Sequence, residues 1–186
     1  YKRTIINFKL NYTTLPLLLG IIIFFSCSEN NKNKLPETNQ VIVKEDTIWQ
    51  VPDTNNIPKN QFGELVRYGR KLLLNTAYYI GPNGTVGSYL GNKMNCSNCH
   101  LQAGTVPYGF NFFSTHARYP QYRGRENKVL SLADRVNNCI ERPHNGKHLP
   151  LNSTELLAIT SYIKWLGENV PVNTNVVGDA PYNIGY

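Results

Sequence analysis

Residues 94–104 read Met94-Asn95-Cys96-Ser97-Asn98-Cys99-His100-Leu101-Gln102-Ala103-Gly104, and the fold turns on the five positions from Cys96 to His100. Two thiols three residues apart suit thioether bonds to the two vinyl groups of a haem, and an imidazole beside the second thiol is placed to coordinate its iron. One covalent haem c is therefore expected, attached at Cys96 and Cys99 and ligated by His100. Two other chemistries use the same cysteine spacing. A zinc site would take Cys96, Cys99, His100 and one further ligand, and an oxidising compartment would allow a Cys96–Cys99 disulfide. The surrounding sequence favours haem, because it reads as a small helical domain exported from the cytoplasm.

Upstream of the motif, Phe62, Leu65, Val66, Gly69, Leu72 and Leu73 recur at helical spacing and predict a helix over roughly Asn60 to Thr76. Glycine weakens a helix by about 1 kcal/mol against alanine, so Gly69 on the apolar face marks a close helix crossing. The Gly-, Pro- and Asn-rich stretch from Gly81 to Lys93 reads as the loop that delivers the chain to Cys96. Downstream, Ser131-Leu132-Ala133-Asp134 fits a capping box, and Leu132, Val136 and Cys139 or Ile140 share the face of the helix it opens. That helix ends before Pro143 and Asn145-Gly146. A last helix is predicted from about Ser153 to Glu168, with Leu156, Ile159, Ile163 and Leu166 in register beside Tyr162 and Trp165. The expected fold is mostly α: a cytochrome c-like single haem domain with long loops, covering residues 49–171.

The flanks set where such a domain works. Lys2, Arg3 and Lys9 precede an apolar run from Leu15 to Phe25, so residues 1–26 read as a signal peptide too short to be a comfortable membrane span. Cys27 directly after it resembles the lipobox of bacterial lipoproteins and is the expected lipidation site. An uncleaved anchor and plain secretion are the alternatives, and all three place the domain outside the cytoplasm, in the cell envelope facing the periplasm or exterior. Residues 27–48 read as a polar tether, although Val41 to Val51 is apolar enough to lie extended on the domain. Residues 172–186 read as a C-terminal tail or linker. The formal charge of +7 loses three with Lys2, Arg3 and Lys9, leaving +4, and no basic run or aromatic ladder appears, so a nucleic-acid partner is not expected.

With Cys27 assigned to lipid and two cysteines to haem, Cys139 has no disulfide partner. The second axial position needs a ligand. Met94 is the sole methionine and, two residues before Cys96, is badly placed for the opposite face of the iron. Cys139, His116, His144 and His148 remain as candidates. Arg135 and Arg142 lie four residues before and three after Cys139, on its side of the helix. Their charge is expected to favour a thiolate, and they would also hold an anion near the sulfur. The bland alternative is a buried cysteine with surface arginines, a loop histidine at 116, and turn or pocket histidines at 144 and 148. A thiolate ligand would push electron density onto iron and lower its reduction potential relative to methionine ligation.

Beyond the haem motif, several blocks carry a family likeness: Pro52-Asp53 with Ile57-Pro58, Phe62-Gly63, Arg67 with Gly69-Arg70, and Cys96 to Gly104. Further along come Pro120-Gln121-Tyr122-Arg123, Asp134-Arg135-Val136-Asn137 with Cys139, Glu141-Arg142, Asn145-Gly146 and Leu149-Pro150-Leu151. The stretch from Trp49 to Pro171 resembles the N-terminal haem domain of thiosulfate dehydrogenases, also called tetrathionate reductases. That resemblance implies His100 and Cys139 as axial ligands, and the Cys139 sulfur as the point where one thiosulfate is bound and joined to a second. It implies a pocket role for Arg135, with Arg123 and Arg125 as further anion contacts. Where relatives often carry a serine after the Glu-Arg pair, this chain has Pro143 and His144. Those enzymes usually carry a second haem domain, whereas this sequence holds a single Cys-x-x-Cys-His.

Two functions from different classes follow. In one, a Cys-ligated haem acts on thiosulfate or tetrathionate and passes electrons to a redox partner, another cytochrome or a membrane acceptor. In the other, the domain is a membrane-tethered monohaem electron carrier without substrate chemistry. A haem-based sensor or accessory subunit is a third reading.

Overall fold

The computed structural model describes residues 49–174 and 176–179. The signal peptide, Cys27, the tether and most of the Val41 to Val51 segment lie outside the described residues, as does the tail from residue 180.

Helix α1 (Gln61–Leu74) starts where Asn60 accepts the Gly63 N–H on its side-chain oxygen at 3.0 Å, and stops at Asn75. A short helix α2 (Thr76–Ile80) follows directly, so the single helix expected to Thr76 is broken in its last turn. The break has a function: Thr76, fully buried, offers its hydroxyl oxygen to the Cys96 N–H at 2.9 Å. The buried face of α1 holds Gly63, Val66, Gly69, Leu72 and Leu73, with Phe62 and Leu65 only half-buried at its edge.

After the loop to Cys96, a single 3-10 turn (Cys96–Asn98) leads into α3 (Leu101–Gly104), and α4 (Thr115–Arg118) closes that connection. The hairpin β1 (Gln121–Arg123) with β2 (Lys128–Leu130) pairs Tyr122 with Val129. The sequence reading did not anticipate it, since three-residue strands leave no alternation to detect. Helix α5 (Leu132–Glu141) carries the expected capping box, with Ser131 Oγ accepting from Asp134 N at 3.1 Å and Asp134 Oδ2 accepting from Ser131 N at 2.9 Å. Helix α6 (Thr154–Leu166), capped by Ser153, buries Leu156, Ile159, Tyr162, Ile163 and Leu166.

The core forms where α1 crosses α6. A Cβ on Gly69 would lie 2.1 Å from the Ala158 carbonyl oxygen and 2.8 Å from Tyr162 Cβ, so the absence of a side chain sets the approach of the two helices. Asn137 of α5 is buried and clamps the following loop, donating to the Leu149 carbonyl at 3.0 Å and accepting from the Leu149 N–H at 2.9 Å. The loop after α5 is stitched to the segment before the haem motif: Gly91 N–H donates to His144 O at 2.8 Å and Lys147 N–H to Tyr89 O at 2.7 Å.

The domain does not end at residue 171. Val176 is buried, the Gly178 carbonyl accepts from Tyr108 N–H at 2.6 Å and from the Asn111 side chain, and Asp179 accepts from Ser114 and Arg118. Residues 176–179 therefore belong to the domain, where the sequence put a tail. Val176 and Val177 are the apolar residues among these four, too few to read as structure in advance.

Candidate functional site

A cavity of about 280 Å³ opens between the helices, walled by Leu73, Ile80, Leu132, Val136, Ile159 and Ile163. This explains why Leu132, Val136 and Cys139 on α5 are only half-buried: their face looks into the cavity rather than onto another helix. Cys96, Cys99 and His100 line the same space from the motif loop, and Arg135 and Cys139 line it from α5.

The motif loop is held by backbone-directed bonds. Asn95 Oδ1 accepts from Ala77 N–H at 2.9 Å, and Asn98 Oδ1 accepts from Asn95 N–H at 2.7 Å. His100 Nδ1 lies 2.5 Å from the Phe110 carbonyl oxygen. A carbonyl only accepts, so Nδ1 carries the proton and Nε2 presents a lone pair. Burial lowers the His100 pKa below the usual histidine value, which keeps that lone pair available. Its ring stacks at 4.3 Å on Phe112.

The turn after His100 is left-handed at three successive residues, Gln102 (φ 50°), Ala103 (φ 59°) and Gly104 (φ 79°). Such geometry costs about 1–2 kcal/mol per non-glycine residue. Three bonds hold it: Gly104 N–H to His100 O at 3.0 Å, Phe112 N–H to Gly104 O at 3.0 Å, and the buried Tyr162 hydroxyl to Ala103 O at 3.1 Å. At Gly104 a Cβ would strike the Phe112 ring at 2.1 Å.

Two of the cavity thiols are shifted by their surroundings. Burial pushes Cys96 up to about 11 and raises Cys139 as well, against the lowering influence of Arg135 and Arg142. Arg135 and Arg142 act in the expected direction, toward the thiolate, but desolvation is the larger influence on Cys139. Cys96, Cys99 and Cys139 are all free thiols in this structure. Among the described residues no three His, Cys, Asp or Glu side chains gather as a metal cluster, and a four-ligand zinc arrangement is not built.

Of the other candidates, His144 and Met94 line the cavity, whereas His116 faces a separate surface depression and His148 bonds Glu141 at 3.1 Å. Arg142 is not in the lining; its guanidinium bonds Glu126 of the hairpin turn at 3.0 Å. Arg123 lines the cavity, and Arg125 is exposed outside it. Sequence reasoning missed Arg118 and Asp179, both in the lining and paired with each other. Arg118 had only its nearness to the Pro120–Arg123 block as a signal, and Asp179 had none.

Residues 90–172 match the SoxA/TsdA cytochrome c domain. The thiosulfate dehydrogenase of Psychrobacter arcticus is 36 % identical over 129 residues, covering 69 % of this chain and 38 % of the relative. That of Thiomonas intermedia is 35 % identical over 127 residues, covering 68 % and 38 %. The chain thus spans about two fifths of the length of these curated relatives. Among solved structures, thiosulfate dehydrogenase (TsdBA) from Marichromatium purpuratum superposes with a TM-score of 0.65 at 27 % identity, covering 72 % of this chain and 29 % of that one.

A cytochrome c domain binds haem c covalently, and the cavity suits that group. Its walls are apolar, two thiols stand at its edge, and an imidazole nitrogen is free to coordinate. Its lining includes three guanidinium groups, Arg118, Arg123 and Arg135, against the single carboxylate of Asp179, and Arg118 Nε is buried without a partner. Arg118, with that unpartnered Nε, is the donor this lining offers to a carboxylate such as a haem propionate. Fold, cavity and comparisons agree that this chain carries a cytochrome c domain of the SoxA/TsdA family.

Proposed function

We propose that the domain carries its haem on Cys96 and Cys99, with His100 and Cys139 as axial ligands, and uses it in the interconversion of thiosulfate and tetrathionate. The observation that supports this reading is Cys139 and Arg135 on one face of α5, sharing a cavity with Cys96, Cys99 and His100. The haem, when bound, supplies an iron that takes up and returns electrons one at a time. The remaining work falls to side chains. Arg135 and Arg123 hold sulfonate oxygens through their planar donor forks, while Arg142 contributes positive potential from outside the cavity. The Cys139 thiolate and the sulfane sulfur of one thiosulfate form a sulfur–sulfur bond with loss of two electrons. A second thiosulfate displaces that thiolate and leaves as tetrathionate, and the two electrons pass singly to a redox partner. Cys27 anchors the chain to a membrane through lipid, on its extracytoplasmic side.

A second reading, a tethered electron carrier, is favoured by a different observation. Met94, Leu101 and Phe110, all exposed, rim the motif loop, as an apolar approach for a partner protein would require. One experiment separates the two. The haem-loaded protein is reduced with thiosulfate in the presence of a small electron acceptor, and the measurement is repeated with Cys139→Ala. Turnover abolished by the substitution supports the enzyme. No turnover by the intact protein, with a spectrum unchanged by the substitution, leaves the carrier. Membrane fractionation of Cys27→Ala, with the domain released to the soluble fraction, tests the anchor.

A further inference from the structure

His144 is 5 % exposed and lines the same cavity as Cys139 and His100. Its backbone is fixed from two sides, the N–H donating to Cys139 O at 3.3 Å and the carbonyl accepting from Gly91 N–H at 2.8 Å. Asn92 orients the ring. Its Nδ2 donates to Pro143 O at 2.9 Å, which turns Oδ1 toward His144 Nδ1 at 3.4 Å. The amide oxygen can only accept, so Nδ1 carries the proton. Nε2 keeps its lone pair and makes no hydrogen bond to any described residue. His100 shows the same pattern, Nδ1 on an oxygen and Nε2 free. An imidazole that lines a cavity with its lone pair unused is available to a group bound there.

We propose that His144 is a reserve axial ligand, which replaces Cys139 on the haem iron when the cysteine sulfur is engaged with substrate. The proposal rests on Cys139 as the resting ligand and goes beyond it. In the exchange one iron–sulfur bond breaks, its electron pair staying on sulfur, and one iron–nitrogen bond forms from the Nε2 lone pair. No electron is transferred. The role of His144 is to keep the iron six-coordinate while the thiolate is away, excluding water and other small ligands from the open position.

Absorbance and electron spin resonance spectra of the ferric, haem-loaded protein test this without reference to turnover. Cys139→Ala is expected to remain low-spin with a two-imidazole signature, and adding His144→Leu is expected to convert it to high-spin. His144→Leu alone is expected to keep the thiolate-type signal. External imidazole should return the double variant to low-spin, which shows that its cavity is intact. A Cys139→Ala protein that is already high-spin, and unaltered by the second substitution, overturns the reserve ligand and leaves Cys139 as the resting one. A wild-type two-imidazole signal that His144→Leu alone removes overturns both, because His144 would then be the resting ligand.

Discussion

Tyr162 keeps its hydroxyl inside the protein to serve a single carbonyl. Burial pushes its pKa up to about 12, so it stays a neutral donor, and its bond to Ala103 O holds a turn whose left-handed dihedrals no sequence pattern announces. Tyr162→Phe should destabilise the haem-loaded domain by about 1–3 kcal/mol, the penalty of a buried acceptor left unmade, read from urea unfolding. Should the midpoint stay put, water would have to be reaching Ala103. Legibility at this scale divided by chemistry. Cys96, Cys99, His100, Arg135 and Cys139 were found because their type and spacing have few other uses, and the cavity gathers all five. Arg142 was paired with Cys139 on helical spacing alone, which cannot see that Glu126, brought in by the hairpin, captures its guanidinium.

Among the elements, α1 and α6 carry the core and α5 carries Arg135 and Cys139 into the cavity wall. Gly69→Ala places a methyl 2.1 Å from the Ala158 carbonyl, so the crossing has to open. Overpacking of this kind costs about 1–3 kcal/mol or more, and a lower thermal midpoint should be accompanied by a shifted haem absorbance, since Leu73 and Ile163 from these helices wall the cavity. The cap of α5 adds a pH dependence. Hydrogen bonds from the Ser131 hydroxyl and backbone hold the Asp134 carboxyl below the usual carboxylate range. A carboxyl depressed in the folded state stabilises above its unfolded pKa, and that stabilisation is lost as pH falls through the folded value. Ser131→Ala should lose about 1 kcal/mol at neutral pH and less at a pH low enough to protonate Asp134 in both proteins. An equal loss at both pH values would show that the carboxylate plays no part in the cap. Caps and a facing glycine are local signals, which is why these helices were legible. The hairpin was not, because its strands are too short for alternation to register.

For the whole molecule, the boundary matters more than any one helix. The segment 176–179 lies beyond the family match at 90–172, yet places Asp179 in the cavity wall. Asp179→Ala leaves Ser114, fully buried, and Arg118 without their shared acceptor. We expect a loss of about 1.5–3 kcal/mol and faster hydrogen exchange at the Tyr108 amide, which donates to the neighbouring Gly178 carbonyl. Unchanged exchange there would mean the strap stays docked through Gly178 alone. Nothing in residues 172–186 announced this, since Gly178 and Asp179 gain their meaning from partners some sixty positions earlier.

The bond from His100 to the Phe110 carbonyl has a consequence for substitution at residue 110. An acceptor on Nδ1 makes an imidazole a stronger donor to its metal and so lowers the potential of the couple it serves. Here that acceptor is main chain, and the side chain at 110, 58 % exposed, sits at the rim of the cavity. A change of side chain at residue 110 therefore leaves the acceptor that His100 Nδ1 meets in place.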